Sequence, residues 1–132
     1  MLSKSVLHSL SGNRLSVFLF HKVPKLADPL APAELDLARF EHLLDHTLSN
    51  FVVLPLEEAI SRVRAGSLPR RSACITFDDG YADWMSGVVP LLLRRNLHAT
   101  FFITSGQFDG IPLWHERILA AVRHPFNVAT NV

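Results

Sequence analysis

Four short apolar runs, each closed by turn residues and separated by stretches of helical periodicity, constrain this 132-residue chain more than any other feature. The runs are Leu15–Phe20, Phe51–Leu54, Ala73–Ile75 leading into Thr76 and Phe77, and Ala99–Thr104. Each has the length of a strand bounded by turn chemistry. Between the first two, Asp36–Asn50 places Leu37, Phe40, Leu43, Leu44 and Leu48 on one helical stripe. Pro55 opens a second helix at a favoured early position, with Glu57 and Glu58 at its positive end and Gly66 as its stop. Tyr81–Asn96 reads as mostly helix with a break before Pro90, and Leu113–His124 as another helix. Ser3–Leu10 is weakly helical, which suggests an N-terminal helical extension over 1–14 ahead of the domain at 15–132. Strands that alternate with helices imply parallel pairing through crossover helices. An open doubly wound sheet and a closed β/α barrel both satisfy that order. The 48% hydrophobic content suits strands covered on both faces.

In either architecture, functional side chains gather at the C-terminal ends of the strands. His21, Asp78, Asp79 and Ser105 all fall at such ends, and three of these four can ligate a metal. The run Thr76-Phe77-Asp78-Asp79-Gly80 is the sharpest of these features. Two adjacent carboxylates repel one another as anions unless a cation stands beside them or they share one proton. Gly80 permits a backbone conformation that other residues avoid, so both aspartates can reach the mouth of a cleft. Asp-Asp-Gly is equally ordinary turn chemistry, with an aspartate capping the helix that follows. Spacing alone leaves both readings open.

Composition removes several functions. Thirteen basic and twelve acidic residues give a net charge of +1, which provides no field for nucleic acid. The longest apolar runs fall well short of the ~20 residues of a membrane-spanning helix. The N-terminal stretch shows no secretory signal, which implies a cytoplasmic chain. The single cysteine, Cys74, cannot form an internal disulfide and reads as a buried, inert thiol.

Several of these runs together resemble a known family. Val17-Phe18-Leu19-Phe20-His21-Lys22-Val23 is similar to the first strand of bacterial polysaccharide deacetylases, the carbohydrate esterases with the NodB homology domain. Ile75-Thr76-Phe77-Asp78-Asp79-Gly80-Tyr81 resembles that family's first motif. Pro90-Leu91-Leu92 and His98-Ala99-Thr100-Phe101-Phe102-Ile103 resemble the helix and strand that follow it. The resemblance implies a distorted β/α barrel and metal-dependent hydrolysis of N-acetyl groups on an N-acetylated polysaccharide or oligosaccharide, in a bacterial envelope pathway. It assigns Asp78 as general base and Asp79 as a ligand of a divalent cation, zinc by family expectation. His21, Gly80 and Tyr81 fall to substrate contact or support of the ligands, and for His21 a satisfied core role is equally open.

The family completes its metal site with His-(Ser/Thr)-x-x-His on a later strand, and this sequence has no such motif. Four strands are about half of the eight in a barrel. The expectation is therefore the N-terminal half of the domain: a truncated chain, inactive by itself, with an exposed sheet edge through which it can associate. The competing reading is a non-catalytic carbohydrate-binding remnant, or a half-domain that needs a partner chain. A phosphoryl-transfer enzyme of the haloacid dehalogenase kind needs its aspartates two apart, whereas here they are adjacent.

Other polar residues carry plainer readings. His42 and His46 lie opposite the Leu/Phe stripe, on a solvated face. His98 precedes its strand and so lies at the opposite pole from the aspartates. Trp114 reads as packing rather than a sugar platform. Asp83 is explained by the positive end of its helix, and Asp109-Gly110 by a turn.

Overall fold

The computed structural model describes residues 14–123. The stretch read as an N-terminal extension lies outside them, apart from its last residue, as does His124. The chain divides into two compact units, Met1–Phe102 and Ile103–Val132.

The first unit is a parallel sheet alternating with helices. Its elements are β1 (Leu15–Phe20), α1 (Leu37–Asn50), β2 (Val52–Val53), α2 (Leu56–Arg64), β3 (Ser72–Phe77), a 3-10 helix (Ala82–Ser86), α3 (Val88–Arg94) and β4 (Thr100–Phe101). β3 is the centre of the sheet. β1 pairs with it in parallel along its whole length, from Leu15↔Ser72 to Phe20↔Phe77. The opposite edge of β3 is divided between two strands. β2 takes its start through Val52↔Ser72 and Val53↔Ala73, and β4 takes its end through Thr76↔Thr100 and Phe77↔Phe101. This division explains why both strands are shorter than their apolar runs. Phe51–Leu54 and Ala99–Thr104 each find only part of one edge to pair with. The sheet is an open arc of four parallel strands, the architecture of part of a distorted β/α barrel.

Every residue of β3 is buried, as expected of a central strand covered on both faces. Cys74 lies inside it, fully buried, and burial pushes its thiol above the ordinary cysteine value. β1 is half open: Val17 and Leu19 are exposed while Phe18 and Phe20 alternate with them as partly covered residues. The core is built round Phe77, which stacks on Phe101 and meets Phe20, Phe40 and Trp84 at centroid distances of 5.1–5.7 Å.

α1 begins where Asp36 accepts a hydrogen bond from the Arg39 N–H at 2.8 Å. Its buried face is Phe40, Leu44 and Thr47. Leu48 is not part of that face. It is 38% exposed, and Thr47 takes the inward place. The Thr47 hydroxyl donates to the Leu43 carbonyl at 2.8 Å, so its burial leaves no polar group unpaired. His42 and His46 are exposed, as read from the stripe. α2 has Pro55 at its N-cap, one residue earlier than expected, and Ala65 at its C-cap, followed by Gly66, whose φ of +65° suits only glycine without strain.

The break expected before Pro90 falls at Gly87. Pro90 is the third residue of α3, where the backbone N–H groups have no partner within the helix and proline costs little. Gly87 lies close against α1: a Cβ there would meet Leu37 Cδ2 at 3.2 Å, so the leucine side chain would have to shift by a few tenths of an ångström. Arg95, just after α3, forms ion pairs with Glu41 and Asp45 of α1.

The second unit contains a 3-10 helix (Ser105–Asp109), a turn with Gly110 at φ +70°, and α4 (Trp114–Arg123). Ser105 opens the 3-10 helix and does not end a strand. α4 buries none of its residues, and Trp114, read as a packing residue, is 72% exposed. Among the described residues no helix is long and apolar enough to cross a membrane.

Candidate active site at the strand ends

The ladder between β1 and β3 continues one residue past Phe77. The Asp78 N–H donates to the Phe20 carbonyl at 2.9 Å, which fixes Asp78 beside the start of the His21 segment. The chain then turns through two left-handed residues, Asp79 at φ +81° and Gly80 at φ +79°. Sequence reasoning assigned the special conformation to Gly80 alone, but Asp79 shares it. Aspartate is among the few residues that adopt it, at a local cost.

The turn brings Asp79 Oδ2 to 4.0 Å from His21 Nε2. These side chains are 28% and 55% exposed respectively, so the pair stands at the surface of the sheet's C-terminal end. Asp78 differs from its neighbour. Its Oδ1 is buried and has no hydrogen-bond partner among the described residues. Among the described residues Glu34 Oε2, Thr76 Oγ1 and Asp83 Oδ1 share that state. Tyr81 is half-buried behind the turn, its ring edge-on to Trp84 at 6.2 Å. Lys22 Nζ lies 5.8 Å from the centre of the Tyr81 ring. Four of the residues read from the motif, with His21, are thus gathered at one end of two adjacent strands.

Two further residues shape this end. Asp83 Oδ2 accepts from the Val23 N–H at 3.1 Å, and Trp84 Nε1 donates to the His21 carbonyl at 2.8 Å. Asp83 therefore does more than sit at a helix terminus. Burial pushes its carboxyl above the ordinary value, while the Val23 N–H and the charge of Lys22 act against that shift. No local spacing announces these contacts, because they join segments some sixty residues apart in the chain.

Zinc takes three or four protein ligands. Among the described residues no group of three or more His, Cys, Asp and Glu side chains gathers where it could hold a metal ion. His21 and Asp79 are two donors, and two do not make a zinc site.

Parallel strands joined by crossover helices, with two adjacent acids at the C-terminal end of the central strand, define an open α/β sheet of the kind found in part of a β/α barrel. Residues 65–129 match the family model described as polysaccharide deacetylase. The resemblance read from the Ile75–Tyr81 and His98–Ile103 runs is borne out. Among solved structures, the fold is similar to IcaB from Ammonifex degensii, with a TM-score of 0.62 and 24% identity over 70% of this chain and 39% of that one. It is also similar to a de-N-acetylase from Aggregatibacter actinomycetemcomitans, with a TM-score of 0.59 and 23% identity over 76% of this chain and 43% of that one. The chain therefore spans about two fifths of the length of these structures. None of the curated proteins matches it.

Proposed function

We propose that this chain forms part of a hydrolase that removes N-acetyl groups from a polysaccharide. The observation that carries the reading is the placement of Asp78, Asp79 and His21 together at the C-terminal ends of β3 and β1. Asp78 is assigned as general base. Its Oδ1 is buried with no hydrogen-bond partner among the described residues, which leaves one acceptor open at the strand end. It takes that proton from a water whose oxygen bonds to the acetyl carbonyl carbon. The proton then passes to the sugar nitrogen as the carbon–nitrogen bond breaks, so acetate and a free amine are the products. Asp79 is assigned as a ligand for a divalent cation, zinc by the family resemblance, with His21 beside it. Because these two donors, among the described residues, fall short of a zinc ligand set, the chain by itself is expected not to turn over. The substrate is an N-acetylated envelope polysaccharide or an oligosaccharide of that class.

A second reading has the same short ligand set in its favour: a half-domain that holds carbohydrate, or completes its site with a partner chain, without catalysing anything alone. Acetate release from N-acetylglucosamine oligomers separates the two. It is measured with the chain and with the product of the reading frame extended past codon 132, each with and without Asp78→Asn. Release by the extended product that Asp78→Asn abolishes carries the deacetylase reading. Release indifferent to Asp78→Asn, or oligomer binding with no release from either protein, overturns it.

A further inference from the structure

The segment His21-Lys22-Val23 leaves β1 without entering another regular element, yet each of its three residues is met by the turn that follows the aspartates. The His21 carbonyl accepts from Trp84 Nε1 at 2.8 Å. Lys22 Nζ lies 5.8 Å from the centre of the Tyr81 ring. The Val23 N–H donates to Asp83 Oδ2 at 3.1 Å. Two of these contacts are hydrogen bonds to backbone groups, so they fix the course of the main chain rather than a side-chain rotamer. Their anchors are themselves packed into the core. Trp84 is 5% exposed and packed against Phe77 and Phe101, and Val23 is 1% exposed within the same core. The turn bearing Asp79 and the segment bearing His21 are therefore two sides of one clasp.

We infer that Asp83 and Trp84 are positioning residues that hold His21 against Asp79. A half-exposed histidine at a strand end has several accessible rotamers and a mobile backbone unless something ties it down. The clasp supplies that tie from the helical turn next to the aspartates, so the main chain at His21 is held to the turn that follows Asp79. The inference rests on the reading of His21 and Asp79 as site residues, and it deepens that reading by naming what sets their separation.

The test is a coupling measurement on the full chain by NMR at fixed pH. Asp79→Asn is introduced into four backgrounds: wild type, Asp83→Ala, Asp83→Asn and Trp84→Phe. The readout is the His21 Cε1–Hε1 cross-peak. In the wild-type background Asp79→Asn is expected to move this peak by more than its linewidth. In the Asp83→Ala and Trp84→Phe backgrounds the displacement is expected to shrink. Asp83→Asn, whose amide oxygen still accepts from the Val23 N–H, is expected to restore it. A displacement of equal size in all four backgrounds overturns the clasp while leaving the site reading intact. No displacement even in the wild-type background overturns the site reading itself. Hydrogen exchange in the unaltered protein covers the case in which a variant fails to fold: the Val23 amide is expected to exchange as slowly as the β3 amides, and rapid exchange there overturns the inference.

Discussion

His21 Nε2 stands 4.0 Å from Asp79 Oδ2, at the ends of two strands paired in register over six residues. The pair supplies two donors where zinc needs three or four. Zn²⁺ titrated calorimetrically into the full chain is therefore expected to bind more weakly than micromolar. His21→Ala is expected to remove what binding there is. A 1:1 site of micromolar or tighter affinity would show that other side chains join these two.

Gly80 follows Asp79 in the left-handed region at φ +79°. Placing a side chain in that conformation costs roughly 1–2 kcal/mol. Gly80→Ala is expected to lower the unfolding free energy by about that amount, read as a lower urea midpoint with an unchanged slope. An unchanged midpoint would mean that the turn relaxes to another conformation, and the His21 resonance would then shift as well.

The strand ends were legible because they depend on local chemistry. An apolar run, two acids and a glycine specify a buried strand and its exit, and β3 ends at Phe77 with the aspartates beyond it. The boundaries of β2 and β4 were not legible. Their length depends on how one edge of β3 is divided between them, which is a tertiary fact. Leu48 and Thr47 exchanged places for a related reason. A hydroxyl that bonds back to the carbonyl four residues earlier can be buried, and hydrophobic periodicity does not register that option. Asp83 was read only in part: it does stand in the first turn of its 3-10 helix, but its partner, the Val23 N–H, lies sixty residues away. The joint position of Trp84 and Asp83 on the 3-10 helix next to the motif is visible only once β1 and β3 are paired.

Phe77 is fully buried and touches four aromatic rings, two from neighbouring strands and two from helical segments. Phe77→Ala removes the residue on which β1, α1, the 3-10 helix and β4 all converge. The expected loss is about 3–5 kcal/mol, toward the upper end because no single neighbour can collapse into the space. Chemical denaturation measures it. A loss near 1 kcal/mol would place the core elsewhere.

Asp83 gives the fold a pH dependence whose sign differs from that of a salt-bridged carboxylate. Burial raises its carboxyl above the unfolded value of about 3.9, so between those two values the native chain binds more protons than the unfolded one. The contribution is fully present below about pH 4 and is lost as pH rises through the raised native value. Asp83→Asn keeps an acceptor for the Val23 N–H and has no charge to bury. Wild-type stability is therefore expected to fall relative to Asp83→Asn as pH rises across that window, with the difference levelling off above it. Urea unfolding of both proteins at a series of pH values gives the curve. A wild-type chain that instead gains on Asp83→Asn with rising pH would mean that the Val23 N–H and the Lys22 charge outweigh desolvation, and that Asp83 is stabilised as an anion.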